Sequence, residues 1–272
     1  LESQPDAGEM MLRESYAALM KAACRVQHES QKAIVTGRHD LLFAVTGKSL
    51  AVLSMVCGTY RAPDENAQVL LELVTQMLSS ASAAMLLLMS GYCRQSFAVQ
   101  RHMLETGFLL DLFRSDESEL HEWLKYRDNL KTVGFRVKTV TKKLDARDNL
   151  PAESRLDSYR AVSNLAVHPF AIGLRIPQRE RPFFDKEAFL SALEELSWHL
   201  PYFTLLSMEA LPGARAIVPD EALVTFDRTV ARWQRRCHRQ VAGGVGSGGL
   251  CRYAQLIWGQ RQRCSESKGE QA

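Results

Sequence analysis

Residues 90–114 read SGYCRQSFAVQRHMLETGFLLDLFR, and the fold class follows from the period of this stretch. At about 100° per residue, Phe97, Leu104, Phe108 and Leu112 fall on one side of a helix, with Leu109 at its shoulder. Arg101 lies in the middle of this apolar stripe, and Glu105 sits one turn on, at its edge. A guanidinium in a core-facing stripe is costly unless it is paired and hydrogen-bonded. Arg101 and Glu105 therefore either pair with each other or hold something supplied by another helix. The expected second party is YRAVSNLAVH, Tyr159–His168, closed by Pro169.

The same period runs outward in both directions. Leu12, Tyr16, Leu19, Ala23 and Val26 predict a first helix from Glu9 to about Val35, and a second runs from about His39 to Cys57. Asp64 is a good N-cap for a third, which Ser90-Gly91 breaks or bends before the Arg101 helix begins. Ser115 or Asp116 caps a fifth helix reaching roughly Leu144, and Asn149-Leu150-Pro151 opens a sixth that ends near His168. Phe170–Phe184, with Gly173, Pro177 and Pro182, reads as a long ordered loop. Asp185 caps a seventh helix through Leu211, with a kink expected at Pro201, and Pro219–Gln240 forms an eighth. No strand-like alternation, hairpin signal or internal repeat interrupts this pattern. The expected organisation is an all-α, up-and-down helical bundle over 1–211, a flexible basic helical annex over 212–241, and a disordered Gly-rich tail over 242–272.

Composition bounds the function. Among 272 residues, 46% are hydrophobic and 24% charged, which is ordinary for a soluble globular chain. A net charge of +3 does not imply nucleic-acid binding; only its distribution can. The six cysteines form no C-x-x-C pair, which predicts reduced thiols in a cytoplasmic protein. Leu41–Gly58 is long enough to suggest a membrane span, but it carries Lys48 at its centre. Ala83–Met89 is far shorter than the roughly 20 residues a span needs, so both runs are expected to be buried helices. No cofactor or metal is expected. Cys237, His238, Cys251 and Cys264 carry zinc-ligand chemistry, but gaps of thirteen and twelve residues between the cysteines fit no compact site, and no E-x-x-H or H-E-x-x-H occurs. The pattern G-x-G-x-x-G in 244–249 follows no strand.

The sixth helix carries the second informative pattern. Tyr159, Val162, Ser163 and Ala166 share its packing face, while Arg160, Asn164 and His168 form a neighbouring polar stripe. A histidine in a last turn is favoured when protonated, so His168 either acts as a general acid or phosphate contact, or merely caps carbonyls before Pro169. Two basic stripes complete the candidates. One is Arg127, Lys131, Lys138 and Lys142, diluted by Asp128 and Asp145. The other is Arg228, Arg232, Arg235, Arg236 and Arg239, with Trp233 among them for base stacking. Such stripes follow a phosphate backbone or an acidic protein partner.

The chain resembles the HEPN-like helical proteins of bacteria. The resemblance rests on Arg-x-x-x-Glu in one long helix and Tyr-x-x-x-Ser-x-x-x-x-His in a later one, here Arg101, Glu105, Tyr159, Ser163 and His168. Helix order agrees from about residue 64 to 210. Catalytic members are metal-independent RNases of toxin and phage-defence systems, so the resemblance implies an RNA partner, with His168, Arg160 and Arg101 as catalytic candidates. Glu105, Tyr159, Ser163, Asn164, Arg232 and Arg236 are the binding candidates, and a homodimer is expected. The family motif places four to six residues between Arg and His on one helix. Here seven separate Arg160 from His168, and Ala161 stands where a polar residue is usual. The alternative is a non-enzymatic helical binding or scaffold module in which both motifs are structural.

Overall fold

In the computed structural model, the described residues are 20–21, 24–34, 39–126, 133–167 and 185–242. The loop expected over Phe170–Phe184, His168, the basic residues Arg127 and Lys131, and the tail from 243 onward lie outside them. Every described element is helical, so the chain is all-α. After a helical stretch at 24–34 come α1 (Asp40–Thr59), α2 (Glu65–Met89), α3 (Cys93–Ser115), α4 (Glu117–Tyr126), α5 (Val137–Arg147), α6 (Ser154–Val167), α7 (Lys186–Ala210), the single turn α8 (Ala214–Ile217) and α9 (Asp220–Ala242).

Local chemistry sets many of the boundaries. Asp64 accepts the amide of Ala67 at 2.7 Å to start α2, and Asp185 accepts those of Glu187 and Ala188 at 3.0 Å to start α7. Between α2 and α3, Gly91 takes φ 83°, which lets the Tyr92 amide reach back to Leu87 O at 2.8 Å and the Gly91 amide to Leu88 O at 3.0 Å. That left-handed cap ends α2 and returns the chain as a helical hairpin.

α3 is the central element. It packs along α2 and α7 on one side and against α5 and α6 on another. Buried polar ties fix its register: Ser96 Oγ donates to Ala84 O at 2.8 Å, and Gln100 Nε2 donates to Ala192 O at 3.0 Å. Gly107 lets α7 approach closely, because a Cβ there would fall 2.3 Å from the Phe203 ring. That ring is 1% exposed and edge-on to Phe108, so it has little room to move. Gly107→Ala is therefore expected to lower stability by about 1–3 kcal/mol through overpacking, although alanine is the better helix former. A urea midpoint at or above the parent's would show that Phe203 yields without cost.

The structure departs from the sequence expectation at three places. The predicted fifth helix is two, α4 and α5, with a 3-10 turn at Val133–Phe135 before α5. Trp123 and Phe135 both pack on Phe113, at ring separations of 5.6 and 5.9 Å. On one continuous helix, twelve residues would carry them about 18 Å apart, so the chain must fold back. Likewise α6 starts at Ser154 rather than at 149–151. Asn149 takes φ 52° and serves as the left-handed cap of α5, with the Leu150 amide on Asp145 O at 2.9 Å. Finally, α9 is no loose annex with an available tryptophan. Leu223, Phe226, Val230 and Trp233 bury one face of α9 in the common core, and α9 packs on α1.

Among the described residues, α1 and α2 are long and apolar enough to cross a membrane by length and composition. In this fold each packs one face inward, with Val45, Val52, Leu53 and Val56 of α1 and Val74, Met77, Ala81 and Leu88 of α2 fully or almost fully buried.

Candidate functional site

The arginine in the apolar stripe of α3 does meet α6. Arg101 Nε donates to Glu105 Oε1 at 3.2 Å and to Tyr159 Oη at 2.6 Å, and the phenol donates in turn to Glu105 Oε1 at 2.5 Å. The guanidinium also lies over the Tyr159 ring, 5.2 Å from its centroid. Both sequence alternatives are realised together: the pair forms within α3, and a second helix supplies the third member. Burial differs from expectation. The Arg101 and Glu105 side chains are 38% and 30% exposed, so the pair sits at the rim of the core stripe, where its long side chains reach solvent.

This triad forms one wall of a cavity of about 420 Å³ between α3, α5 and α6. Phe108, Leu109, Val137 and Val140 supply apolar lining, while Phe135 and Arg136 come from the turn before α5. The electrostatics hold Tyr159 as a neutral phenol. Partial burial, followed by the acceptor charge of Glu105, pushes its pKa up to about 12, against the opposing effect of Arg101. Burial alone would lower the Arg101 pKa, but its bonds and proximity to Tyr159 and Glu105 outweigh this and raise it. Arg101 uses only Nε in these contacts, and among the described residues neither terminal nitrogen has a hydrogen-bond partner. The side chain of Arg136, exposed at the cavity, makes no hydrogen bond or ion pair among the described residues.

The other candidates are not gathered here. Arg160 lies on the outer face of α6, where Nη1 donates to Glu153 Oε2 at 2.7 Å and to Asp157 Oδ1 at 3.0 Å. One residue beyond Tyr159, its side chain is turned about 100° away from the face that meets α3. Ser163 is half-buried and Asn164 exposed. On α9, Arg228, Arg232 and Arg235 are exposed and Arg236 is half-buried. Partial burial and then the nearby charges of Arg236 and Lys186 lower the pKa of His39. Trp233 is fully buried and edge-on to Trp198, so it is not placed for base stacking. Lys138 and Lys142 are exposed on α5, but Asp145 does not dilute their stripe, because it is buried.

Asp145 belongs to a charge network that sequence reasoning missed. Arg155, 0% exposed, donates to Asp145 Oδ1 at 2.8 Å, makes a short contact with Asp148, and lies 3.8 Å from Asp111. Arg147 Nη2 reaches Asp111 Oδ2 at 3.0 Å, Arg114 reaches Asp111 Oδ1 at 3.3 Å, and Tyr202 Oη donates to Asp111 Oδ2 at 3.0 Å. Three arginines thus balance three aspartates across α3, α5, the cap after α5, and α6, with α7 adding a phenol. Burial would raise the Asp148 pKa, yet hydrogen bonds from Arg147 and the charge of Arg155 hold it below the usual carboxylate range. Arg155 lies one helical turn before Tyr159, so the network that seats Arg155 also seats the phenol against Arg101. The signal was present in LLDLF, 109–113, where Asp111 interrupts an apolar run much as Arg101 does.

Among the described residues, no group of three or more His, Cys, Asp and Glu side chains has metal-binding geometry. Comparison with protein-family models, with curated proteins and with solved structures returns no match.

Proposed function

We propose that this chain is an RNA-directed, HEPN-like helical protein that binds a nucleotide of single-stranded RNA in the cavity between α3, α5 and α6. The observation that carries the reading is that cavity, which combines two guanidiniums, from Arg101 and Arg136, with the aromatic residues Tyr159 and Phe135 and an apolar floor. Guanidiniums suit phosphate and rings suit bases, and together they form the usual chemistry of single-strand binding. The exposed arginines of α9 add a basic face that is separate from the cavity lining.

Binding and cleavage separate cleanly in this reading. Metal-independent cleavage needs a proton-transfer group and a cation on the phosphorane. Arg160 is outside the cavity lining, so Arg101 is the candidate cation for that chemistry, and His168 is the proposed proton-transfer group. The purified chain should bind single-stranded RNA at low ionic strength, with affinity falling as salt rises. Arg228→Glu combined with Arg232→Glu should weaken binding and flatten its salt dependence, since fewer counterions are released. If the chain cuts RNA in EDTA, His168→Ala should abolish cutting and leave binding nearly intact. Absence of RNA binding at low salt, or binding indifferent to salt, would overturn the proposal.

A further inference from the structure

The geometry points to a narrower ligand: the cavity captures a terminal phosphomonoester of RNA, with Arg101 and Arg136 as its paired cations. This inference rests on the RNA reading above and adds which part of the strand enters. Its first support is the way Arg101 is held. The Nε edge is anchored to Glu105 and Tyr159 at 3.2 and 2.6 Å, so the guanidinium plane is fixed while both terminal nitrogens stay available. A guanidinium anchored along one edge presents a rigid fork, which matches two oxygens of one phosphate.

The second support is charge matching. Arg136 lines the same cavity, and its guanidinium has no partner among the described residues. The one acidic residue in the lining, Glu105, already accepts from both Arg101 and Tyr159 through Oε1, so its charge is locally met. Glu105 offsets one of the two cations, so the lining keeps a net positive charge, and two guanidiniums can engage the three unesterified oxygens of a phosphomonoester more fully than the two of a phosphodiester. The third support is size. About 420 Å³ falls in the range of a pocket for one small ligand, room for a single end nucleotide rather than a run of strand. Its base would lie toward Phe135, Leu109 and Val140.

The test uses the full chain and three RNA oligonucleotides of identical sequence, measured by fluorescence anisotropy. One carries a 5′-phosphate, one a 3′-phosphate, and one hydroxyls at both ends. One phosphorylated end should bind at least tenfold tighter than the hydroxyl-ended RNA, and which one it is identifies the source of the phosphate. Arg136→Ala, at an exposed position that does not threaten the fold, should abolish that ratio, weakening the phosphorylated RNA far more than the hydroxyl-ended one. Arg101→Lys, which keeps the charge but loses the fork, should reduce the ratio at least threefold. Charge reversal at Arg228 and Arg232 should weaken all three oligonucleotides alike and leave the ratio intact. Equal affinities for the three ends would overturn this inference and leave the RNA reading standing. Binding to none of them would overturn both.

Discussion

Arg155→Met is expected to cost about 3–5 kcal/mol, a large part of the roughly 5–15 kcal/mol that stabilises a typical domain. The reason is what the substitution leaves behind. Arg155 is 0% exposed and bridges Asp145, Asp148 and Asp111, of which Asp111 and Asp145 are 1% and 2% exposed. Removing the cation strands carboxylates where water cannot replace it, and Arg147 and Arg114 reach only part of the cluster. The urea midpoint at neutral pH is the measurement. Combining Arg155→Met with Asp145→Asn and Asp148→Asn should recover part of the loss, because the stranded charges are removed with their partner. Arg160→Met, a little over one turn further along α6 but exposed, should leave the midpoint nearly unchanged. If Arg155→Met behaved like Arg160→Met, the network would not hold α6 in place.

Trp233→Ala should destabilise the chain by a similar amount, about 3–5 kcal/mol. Trp233 is 0% exposed, and its ring sits 4.5 Å from that of Trp198, in an edge arrangement that adds to simple burial. Truncating it leaves a cavity between α9 and α7, bordered by the part of α1 that α9 covers. The loss should appear in the denaturation midpoint and in tryptophan fluorescence, since the paired indoles report on the same contact. Arg232→Ala, the preceding and exposed residue, should barely move the midpoint. A loss below about 1 kcal/mol for Trp233→Ala would mean that α9 contributes little to the core, despite its burial.

The two substitutions also separate roles on one helix. The apolar face of α9 holds the fold together, whereas its exposed arginines are free to act on a ligand. On the proposed RNA reading, stability and RNA affinity should therefore respond to different residues of α9. Arg232 should matter for RNA and not for folding, and Trp233 the reverse.

Much of the architecture was legible in the sequence because it depends on neighbours along the chain. The 3.6-residue period, the carboxylate caps Asp64 and Asp185, and the glycine stop at Gly91 act within one or two turns, and each lies where the pattern placed it. The meeting of Arg101 with Tyr159 was legible for a different reason: a charge in an apolar stripe demands a partner, and the next conspicuous pattern offered one. Tertiary structure alone decided the rest. Whether Trp233 faces solvent or Trp198 depends on α9 docking to a surface that no local pattern describes. Phe113 forces the break between α4 and α5 by gathering Trp123 and Phe135 onto one ring. Asp111, Arg114, Asp145, Arg147, Asp148 and Arg155 read mostly as an ordinary mixed surface, because a charge looks the same in sequence whether water or another charge solvates it. Only their convergence from separate helices removes the water and turns them into a framework.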